Sequence, residues 1–73
     1  SLEKRWGSYI QATHTLILNR TLVQVSLPLI DYVVIHELCH AEHQDHGREF
    51  VAALNAKLPD WPMRKEKLEF LTR

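Results

Sequence analysis

The sequence predicts a single α+β domain with short antiparallel strands at its N-terminal end and three helices after them. Residues 6–26 are rich in β-forming side chains, and apolar residues recur at helical spacing from position 27 onward. Polar or proline-containing breaks near positions 45 and 59 divide this second part into helices. With 73 residues, the chain is near the lower size limit for a hydrophobic core that is stable alone.

Two short strands are predicted before residue 20. The first runs from Arg5 to Ile10 and the second from Thr15 to Asn19, because both stretches are rich in residues that favour strands. The polar residues 11–14 join them as a turn. Residues 22–25 have a similar composition, and the sequence leaves open whether they add a third strand.

The first helix is predicted to begin after Ser26 and to end near His43. Pro28 lies in the first turn, where a proline is tolerated, and Asp31 lies near the positive end of the helix dipole. Because apolar residues cover most of its circumference, we expect this helix to lie buried in the middle of the domain. These residues are Leu29, Ile30, Val33, Val34, Ile35 and Leu38.

Two further helices are predicted after residue 44. We expect Asp45 to cap the second helix and Pro59 to end it, and we expect Asp60 to cap the third. Apolar residues recur at helical spacing in both: Phe50, Val51, Leu54 and Leu58 in the second, and Leu68 and Leu71 on one side of the third.

The composition excludes several classes of protein. Nine Lys and Arg balance nine Asp and Glu, so the net charge does not attract nucleic acid or an anionic membrane. The longest apolar run, residues 32–35, is far short of the ~20 residues that span a bilayer. The one cysteine, Cys39, rules out an internal disulfide, and a small buried hydrophobe is favoured over a nucleophile. We expect a cytoplasmic protein.

Residues 36–40 have the pattern H-E-x-x-H. On a helix, His36 and His40 lie about 40° apart around the axis, so both imidazoles reach one ion, and zinc suits such nitrogen ligands. Glu37 lies roughly 60–100° from these histidines, too far round to be an easy ligand but able to take a proton from a water at the metal. The sequence therefore predicts a zinc site with Glu37 as general base.

A catalytic zinc site has three protein ligands, and the third remains to be chosen. The candidates are Glu42, His43, His46 and Glu49. His43 lies on the same side of the helix as His36 but about 10 Å further along the axis. His46 follows the predicted helix end, and Gly47 eases a reversal that returns its imidazole to the metal. Helix geometry therefore favours His46.

With these residues identified, the chain resembles the YgjP-like zinc metallopeptidase domain, a relative of the SprT-like and WLM proteases among the zincins. The segments that match are Arg5-Trp6-Gly7-Ser8, Leu16-Ile17-Leu18-Asn19, Ile30-Asp31-Tyr32-Val33-Val34, His36-Glu37-Leu38-Cys39-His40, Asp45-His46-Gly47 with Phe50, and Leu58-Pro59-Asp60. The resemblance implies a zincin core with a sheet packed on the active-site helix, zinc bound by His36, His40 and His46, and Glu37 as catalytic base. Because members of the family are longer, we expect residues 1–73 to be the catalytic C-terminal portion of a metallopeptidase.

Two classes of function fit the sequence. The first is hydrolysis of a peptide or protein substrate, in which an extended segment of the substrate pairs with an edge of the small sheet. The second is a non-catalytic zinc-binding or protein-interaction module. It stays open because the sequence assigns no oxyanion stabiliser: Tyr9, Tyr32 and Arg48 are candidates by their chemistry alone. The SprT-like relatives act on proteins attached to DNA, but this sequence has no basic patch with interleaved aromatic residues to predict nucleic-acid binding.

Overall fold

The computed structural model describes residues 6–72 and has the predicted α+β architecture, with two antiparallel strands followed by three α-helices. Its elements are β1 (Gly7–Ile10), β2 (Thr15–Leu18), a 3-10 helix (Arg20–Gln24), α1 (Leu27–Cys39), α2 (Arg48–Lys57) and α3 (Trp61–Thr72). Arg5, the predicted start of the first strand, lies outside the described residues.

The two strands form a hairpin in which Gly7 lies opposite Leu18 and Ile10 lies opposite Thr15. The predicted turn at residues 11–14 joins them. Its last residue has a left-handed φ of 53°, and its backbone N–H donates a hydrogen bond to the carbonyl of the first turn residue at 3.3 Å. The hairpin prediction is therefore confirmed, although Trp6 lies outside β1 and β2 is one residue shorter than expected.

Gly7 allows the hairpin to lie directly on α1. A Cβ at this position would be 2.9 Å from the backbone oxygen of Ile17 and 3.3 Å from Cγ1 of Val33 in α1. The first distance is shorter than carbon and oxygen atoms tolerate, and backbone cannot move aside as a flexible side chain can. A residue with a side chain would therefore push β1 away from its partner strand and from the helix.

Residues 20–24 form a 3-10 helix, so the stretch 22–25 does not add a third strand. The side-chain oxygen of Asn19 begins this helix by accepting a hydrogen bond from the N–H of Thr21 at 2.9 Å. Leu22 is 2% exposed and packs in the core. Burial of this one side chain accounts for a tight turn in a segment whose composition favours a strand.

Helix α1 lies at the centre of the molecule and contacts both strands and both other helices. It begins directly after Ser26, as predicted. Its buried residues are Leu29, Tyr32, Val33, Glu37 and Cys39. Leu38, predicted on a buried face, is 44% exposed, so the helix is covered around most but not all of its circumference.

The α-helical part of α1 ends at Cys39, four residues before the predicted end. After this point the N–H groups of His40, Ala41 and Glu42 bond to carbonyls three residues back, as in a 3-10 turn. These tighter bonds carry the chain on to His43, which still bonds to the carbonyl of Cys39. The helix therefore narrows before the chain reverses.

The start of α2 differs from the prediction. Gly47, not Asp45, occupies the N-cap position, and the prediction that Asp45 caps this helix is wrong. Oδ1 of Asp45 accepts a hydrogen bond from the N–H of Gly47 at 3.1 Å, which closes a turn just outside the helix. The aspartate therefore shapes the loop before the helix and does not cap the helix itself.

Helix α3 begins after Asp60, whose backbone carbonyl accepts hydrogen bonds from the N–H groups of Met63 and Arg64. Its carboxylate lies 2.9 Å from Nε of Arg64, whose Nη1 donates to the carbonyl of Pro28 at the start of α1. Leu68 is fully buried, but Leu71 is 53% exposed. Only the first of these two leucines therefore attaches α3 to the core.

The core collects buried side chains from the 3-10 helix and all three α-helices. Its members are Leu22, Leu29, Tyr32, Val33, Cys39, Phe50, Leu54 and Leu68. Cys39 is buried as predicted, and burial raises the pKa of its thiol, which keeps it protonated. Among residues 6–72, no helix combines the length and the apolar character needed to cross a membrane.

Candidate metal centre

Three imidazoles meet beside the C-terminal end of α1. His36 lies in α1, His40 follows its last residue, and His46 lies in the loop before α2. One ring nitrogen from each histidine lies within 4.8 Å of those of the other two. The Nε2 atoms of His40 and His46 are 3.0 Å apart. The chain reversal between residues 40 and 46 thus returns the third ring to the first two.

Hydrogen bonds determine which ring nitrogens of His36 and His40 are available to a metal. Nδ1 of His40 lies 3.1 Å from the backbone carbonyl of His43. Because a carbonyl can only accept, this Nδ1 carries the proton and Nε2 keeps its lone pair. Nδ1 of His36 lies 3.2 Å from Oε2 of Glu37, and the same argument applies to a carboxylate. Both rings therefore offer Nε2, and each is oriented by a partner as metal-binding histidines are.

Phe50 of α2 packs against all three imidazoles. Its ring centroid lies 5.2 Å from that of His36, 4.6 Å from His40 and 4.8 Å from His46, and the residue is 3% exposed. It forms an apolar floor that excludes water from one side of the cluster and limits rotation of the rings. The helical spacing predicted Phe50 as a core anchor but gave no signal of its contact with the histidines.

The electrostatics at His46 favour its neutral form. Although His46 is mostly exposed, partial desolvation of its ring lowers its pKa, and the neighbouring His40 and His36 lower the pKa further because like charges repel. A neutral imidazole is the form that binds a metal ion. Three imidazole nitrogens that converge on one point are a donor set suited to a divalent transition metal.

Glu37 and His43 lie in different surroundings. Glu37 is buried and lines the same cavity as the three clustered histidines, although its carboxylate does not belong to the group of converging atoms. The imidazole of His43 lies 3.9 Å from the carboxylate of Glu42 and 4.0 Å from that of Glu49. Of the four candidates for a third ligand, the structure brings His46 to the pair on α1 and places the other three in a separate cluster.

A cavity of about 690 Å³ opens over the three imidazoles. Residues 7–9 of β1 line part of it, and the aromatic rings of Trp6, Tyr32 and Trp61, which lie against one another, line another part. The ring centroid of Tyr32 is 5.7 Å from that of His36, one helical turn away on the same face of α1. That spacing is visible in the sequence, but nothing in the sequence places the two tryptophans beside Tyr32.

The candidate oxyanion stabilisers are not equivalent in the structure. Tyr9 and Tyr32 line the cavity, whereas Arg48 lies with His43 in a second cleft. The hydroxyl of Tyr9 lies 3.0 Å from Nδ1 of His14. Burial raises the pKa of Tyr32 above its ordinary value, with further increases from the Glu69 and Glu37 charges, so its phenol stays protonated.

A hydrogen-bonded link joins the hairpin turn to the segment between His40 and His46. Nε2 of Gln11 donates to the backbone carbonyl of Ala41 at 2.5 Å, and Nε2 of Gln44 donates to Oε1 of Gln11 at 3.3 Å. The turn of the hairpin is thereby attached to the loop that carries the third histidine. Both glutamines also line the cavity.

Comparison with known proteins agrees with this geometry. A family model described as "YgjP-like, metallopeptidase domain" matches residues 1–70 of the chain. No curated protein and no solved structure gives a significant match. The match covers nearly all of the 73 residues, including the strands, α1 and the loop with the third histidine.

Proposed function

The chain belongs to the YgjP-like metallopeptidase family, and on that premise we propose that it is a zinc-dependent peptidase with Glu37 as its general base. One observation carries this proposal. Ring nitrogens of His36, His40 and His46 converge within 4.8 Å of one another, in a cavity that the buried Glu37 also lines. A general base has to lie beside the metal without being one of its ligands.

The three histidines would hold zinc, with His36 and His40 binding through the Nε2 atoms that their hydrogen bonds leave free. Zinc in such a site activates water as a nucleophile and polarises the carbonyl of the bond to be cut. Phe50 would limit the movement of the three imidazoles by packing against their rings. The carbonyl of His43 would hold the ring of His40 in the tautomer that binds.

Glu37 would move one proton during the reaction. Its carboxylate takes the proton from the water whose oxygen attacks the carbonyl carbon, and it returns that proton to the amide nitrogen as the C–N bond breaks. The burial of Glu37 supports this role, because a sheltered carboxylate exchanges fewer protons with bulk water. The contact of its carboxylate with Nδ1 of His36 holds Glu37 next to the three histidines.

The outer edge of β1 would bind the backbone of the substrate. The N–H of Asn19 donates to the carbonyl of Trp6 at 2.7 Å, so in the antiparallel ladder the bonds to β2 fall at Ser8 and Ile10. The N–H and C=O groups of Gly7 and Tyr9 therefore point away from β2. Since these two residues line the cavity, an extended peptide paired with them would pass beside the histidine cluster.

Replacement of the proposed base tests this function. We expect Glu37→Gln to retain zinc, measured by elemental analysis, and to lose peptide hydrolysis by a factor of about 10² to 10⁴, because an amide has the same size but cannot accept the proton. Glu66→Gln is the matched control, since Glu66 is exposed on α3 and does not line the cavity. Near wild-type turnover in Glu37→Gln would disprove its role as base. A wild-type protein that binds zinc without hydrolysing any peptide would favour the non-catalytic binding module.

A further inference from the structure

We propose that the aromatic end of the cavity is a subsite that selects a large apolar side chain of the substrate, next to the bond that is cut. This aromatic subsite consists of Trp6, Tyr32 and Trp61, with Leu54 beside them. The inference rests on the proposed function, because it takes the histidine cluster as the place where the bond is cut. The subsite would determine which substrates are preferred, and neither the H-E-x-x-H motif nor the family match determines that preference.

The three rings form a continuous apolar wall around Tyr32. Trp61 is nearly parallel to Tyr32, with an interplanar angle of 9° and centroids 6.4 Å apart. Trp6 meets Tyr32 edge to face, at 70° and the same centroid distance. Faces and edges of aromatic rings offer large contact areas to both aliphatic and aromatic side chains. Binding sites for small ligands are typically lined in this way, with a few polar groups at one end.

Both indoles have their polar atoms engaged elsewhere. Nε1 of Trp6 donates to Oγ1 of Thr72 at 3.2 Å, and Nε1 of Trp61 donates to Oδ1 of Asn55 at 2.6 Å. These hydrogen bonds set the orientation of the rings and occupy their one donor each. The surface that the two rings offer to a ligand is therefore hydrocarbon, held in position before the ligand arrives.

The positive charge of Lys65, which lines the cavity, is compensated by the carboxylate of Glu69. Nζ of Lys65 lies 3.1 Å from this carboxylate, one turn further along α3. The aromatic subsite therefore offers no unpaired lysine to attract a carboxylate. A carboxylate that entered it would lose its hydration without gaining a new partner.

The distance from the histidine cluster fits a neighbouring residue of the substrate. The centroid of Tyr32 is 5.7 Å from that of His36, and successive residues of an extended peptide are about 3.3–3.6 Å apart. A peptide bond at the cluster therefore places a side chain of an adjacent residue beside Tyr32, where the two partly exposed tryptophans can contact it. More distant residues of the substrate would lie beyond the subsite.

Core packing alone does not account for the tryptophans. Tyr32 is 2% exposed and belongs to the core, whereas Trp6 and Trp61 remain partly exposed where they border the cavity. A bound apolar side chain would cover this remaining surface and gain the stabilisation that comes with its removal from water. The two tryptophans thus have surface left for a ligand.

The chain carries its own reporter for this test, because its only two tryptophans both belong to the subsite. Binding of end-blocked alanine pentapeptides with a central leucine, alanine or aspartate is measured by tryptophan fluorescence on zinc-loaded Glu37→Gln protein. We expect the leucine peptide to bind at least about tenfold more tightly than the alanine peptide, and the aspartate peptide to bind no better than alanine. Equal affinities for leucine and alanine would overturn the inference.

Three variants test which residues produce the preference for the leucine peptide. In Trp61→Ala we expect the preference for leucine to fall below about threefold, with Trp6 as the remaining reporter, while Met63→Ala, an exposed position on the same helix, keeps it. If Trp61→Ala does not fold by circular dichroism, Trp61→Leu replaces it, because leucine keeps an apolar side chain on the core while it removes the ring that stacks on Tyr32. An unchanged preference in the folded variant would contradict the assignment of these residues.

The outcomes for the two proposals are separable. Loss of the leucine preference in a protein that binds zinc and hydrolyses peptides would overturn the subsite and leave the peptidase proposal intact. A clear leucine preference in a protein that never hydrolyses peptides would overturn the peptidase proposal, while the subsite would stand as a binding site.

Discussion

Helix α1 and the loop after it bring histidines to the same point in different ways. His36 and His40 are one turn apart at the end of a helix that the rest of the molecule surrounds, so backbone hydrogen bonds set their separation. His46 is exposed, and side-chain hydrogen bonds near it hold its loop: Asp45 to the N–H of Gly47, and Gln44 to the turn of the hairpin. Two of the proposed ligands are therefore preorganised by secondary structure, and the third by a few polar contacts.

This difference shows where a metal ion would have the most to contribute. A helical pair keeps its geometry whether or not an ion is bound, whereas a loop held by a few exposed hydrogen bonds opens more readily. Binding energy that would otherwise appear as affinity is used to order the loop. We therefore expect the region around His46 to respond to the metal more than α1 does.

The largest expected effect is the loss of the loop ligand. In His46→Ala we expect zinc affinity to fall by more than about a hundredfold, because a side chain that binds the metal directly matters at least as much as the groups that orient such side chains, whose loss costs 10- to 100-fold. His43→Ala is the control, since its imidazole faces Glu42 and Glu49, and it should lose little affinity. Titration with zinc at a pH where histidines are neutral measures both. The reverse order would mean that His43 completes the site.

Removal of the metal should lower thermal stability. At free zinc about a hundredfold above its dissociation constant, binding only to the folded state stabilises a protein by roughly 2.7 kcal/mol. For a domain of this size, each kcal/mol corresponds to about 4–8 °C in Tm, so verified chelation should lower Tm by at least about 10 °C. Scanning calorimetry before and after chelation provides the measurement. An unchanged Tm would show that the three histidines do not couple a metal to the fold.

Hydrogen exchange measured before and after the same chelation reports on the loop around His46 and on helix α1 separately. On chelation we expect the backbone amides of residues 44–47 to exchange at least about tenfold faster, while those of residues 33–37 in α1 change little. The local opening of the loop should depend on the metal, and the opening of the buried helix should not. A uniform increase in both regions would mean that the loop and helix form one cooperative unit.

The smallest expected effect concerns the link between the hairpin and the loop. Gln11→Ala removes the bonds to Ala41 and Gln44, and we expect zinc affinity to fall by about three- to tenfold, as the loss of one or two exposed hydrogen bonds predicts. Gln24→Ala is the matched control, because Gln24 is exposed at the end of the 3-10 helix and does not line the cavity. Equal affinities in the two variants would show that the loop holds His46 without help from the hairpin.

The parts that the sequence predicts best are those governed by local periodicity. The start of α1, the hairpin and the separation of His36 from His40 all follow from spacing rules that tertiary packing has no reason to override. The sequence also predicts the chain reversal that separates His46 from His43. A helix has a fixed rise, so a residue two turns away cannot return to the point where His36 and His40 meet. Local geometry was sufficient for these features.

The parts that the sequence did not predict depend on long-range packing or on competition between equivalent residues. Asp45 and Gly47 are both acceptable N-cap residues, and the aspartate is used in the loop turn. The 3-10 helix forms among β-forming residues because Leu22 is buried in the core. Trp6 and Trp61 come from opposite ends of the chain, and only the packing of α3 on α1 brings both rings to the same cavity.

The hydrogen bond from Trp6 to Thr72 has a consequence for the topology of the chain. These residues lie at the two limits of the described structure, and their side chains are 3.2 Å apart, with the hydroxyl of Thr72 also bonded to the carbonyl of Leu68. These side chains hold the segment before β1 next to the end of α3. A covalent linker long enough to join the backbone of these two regions would restrict the unfolded chain more than the folded one, which is a route to greater stability that needs no change in the core.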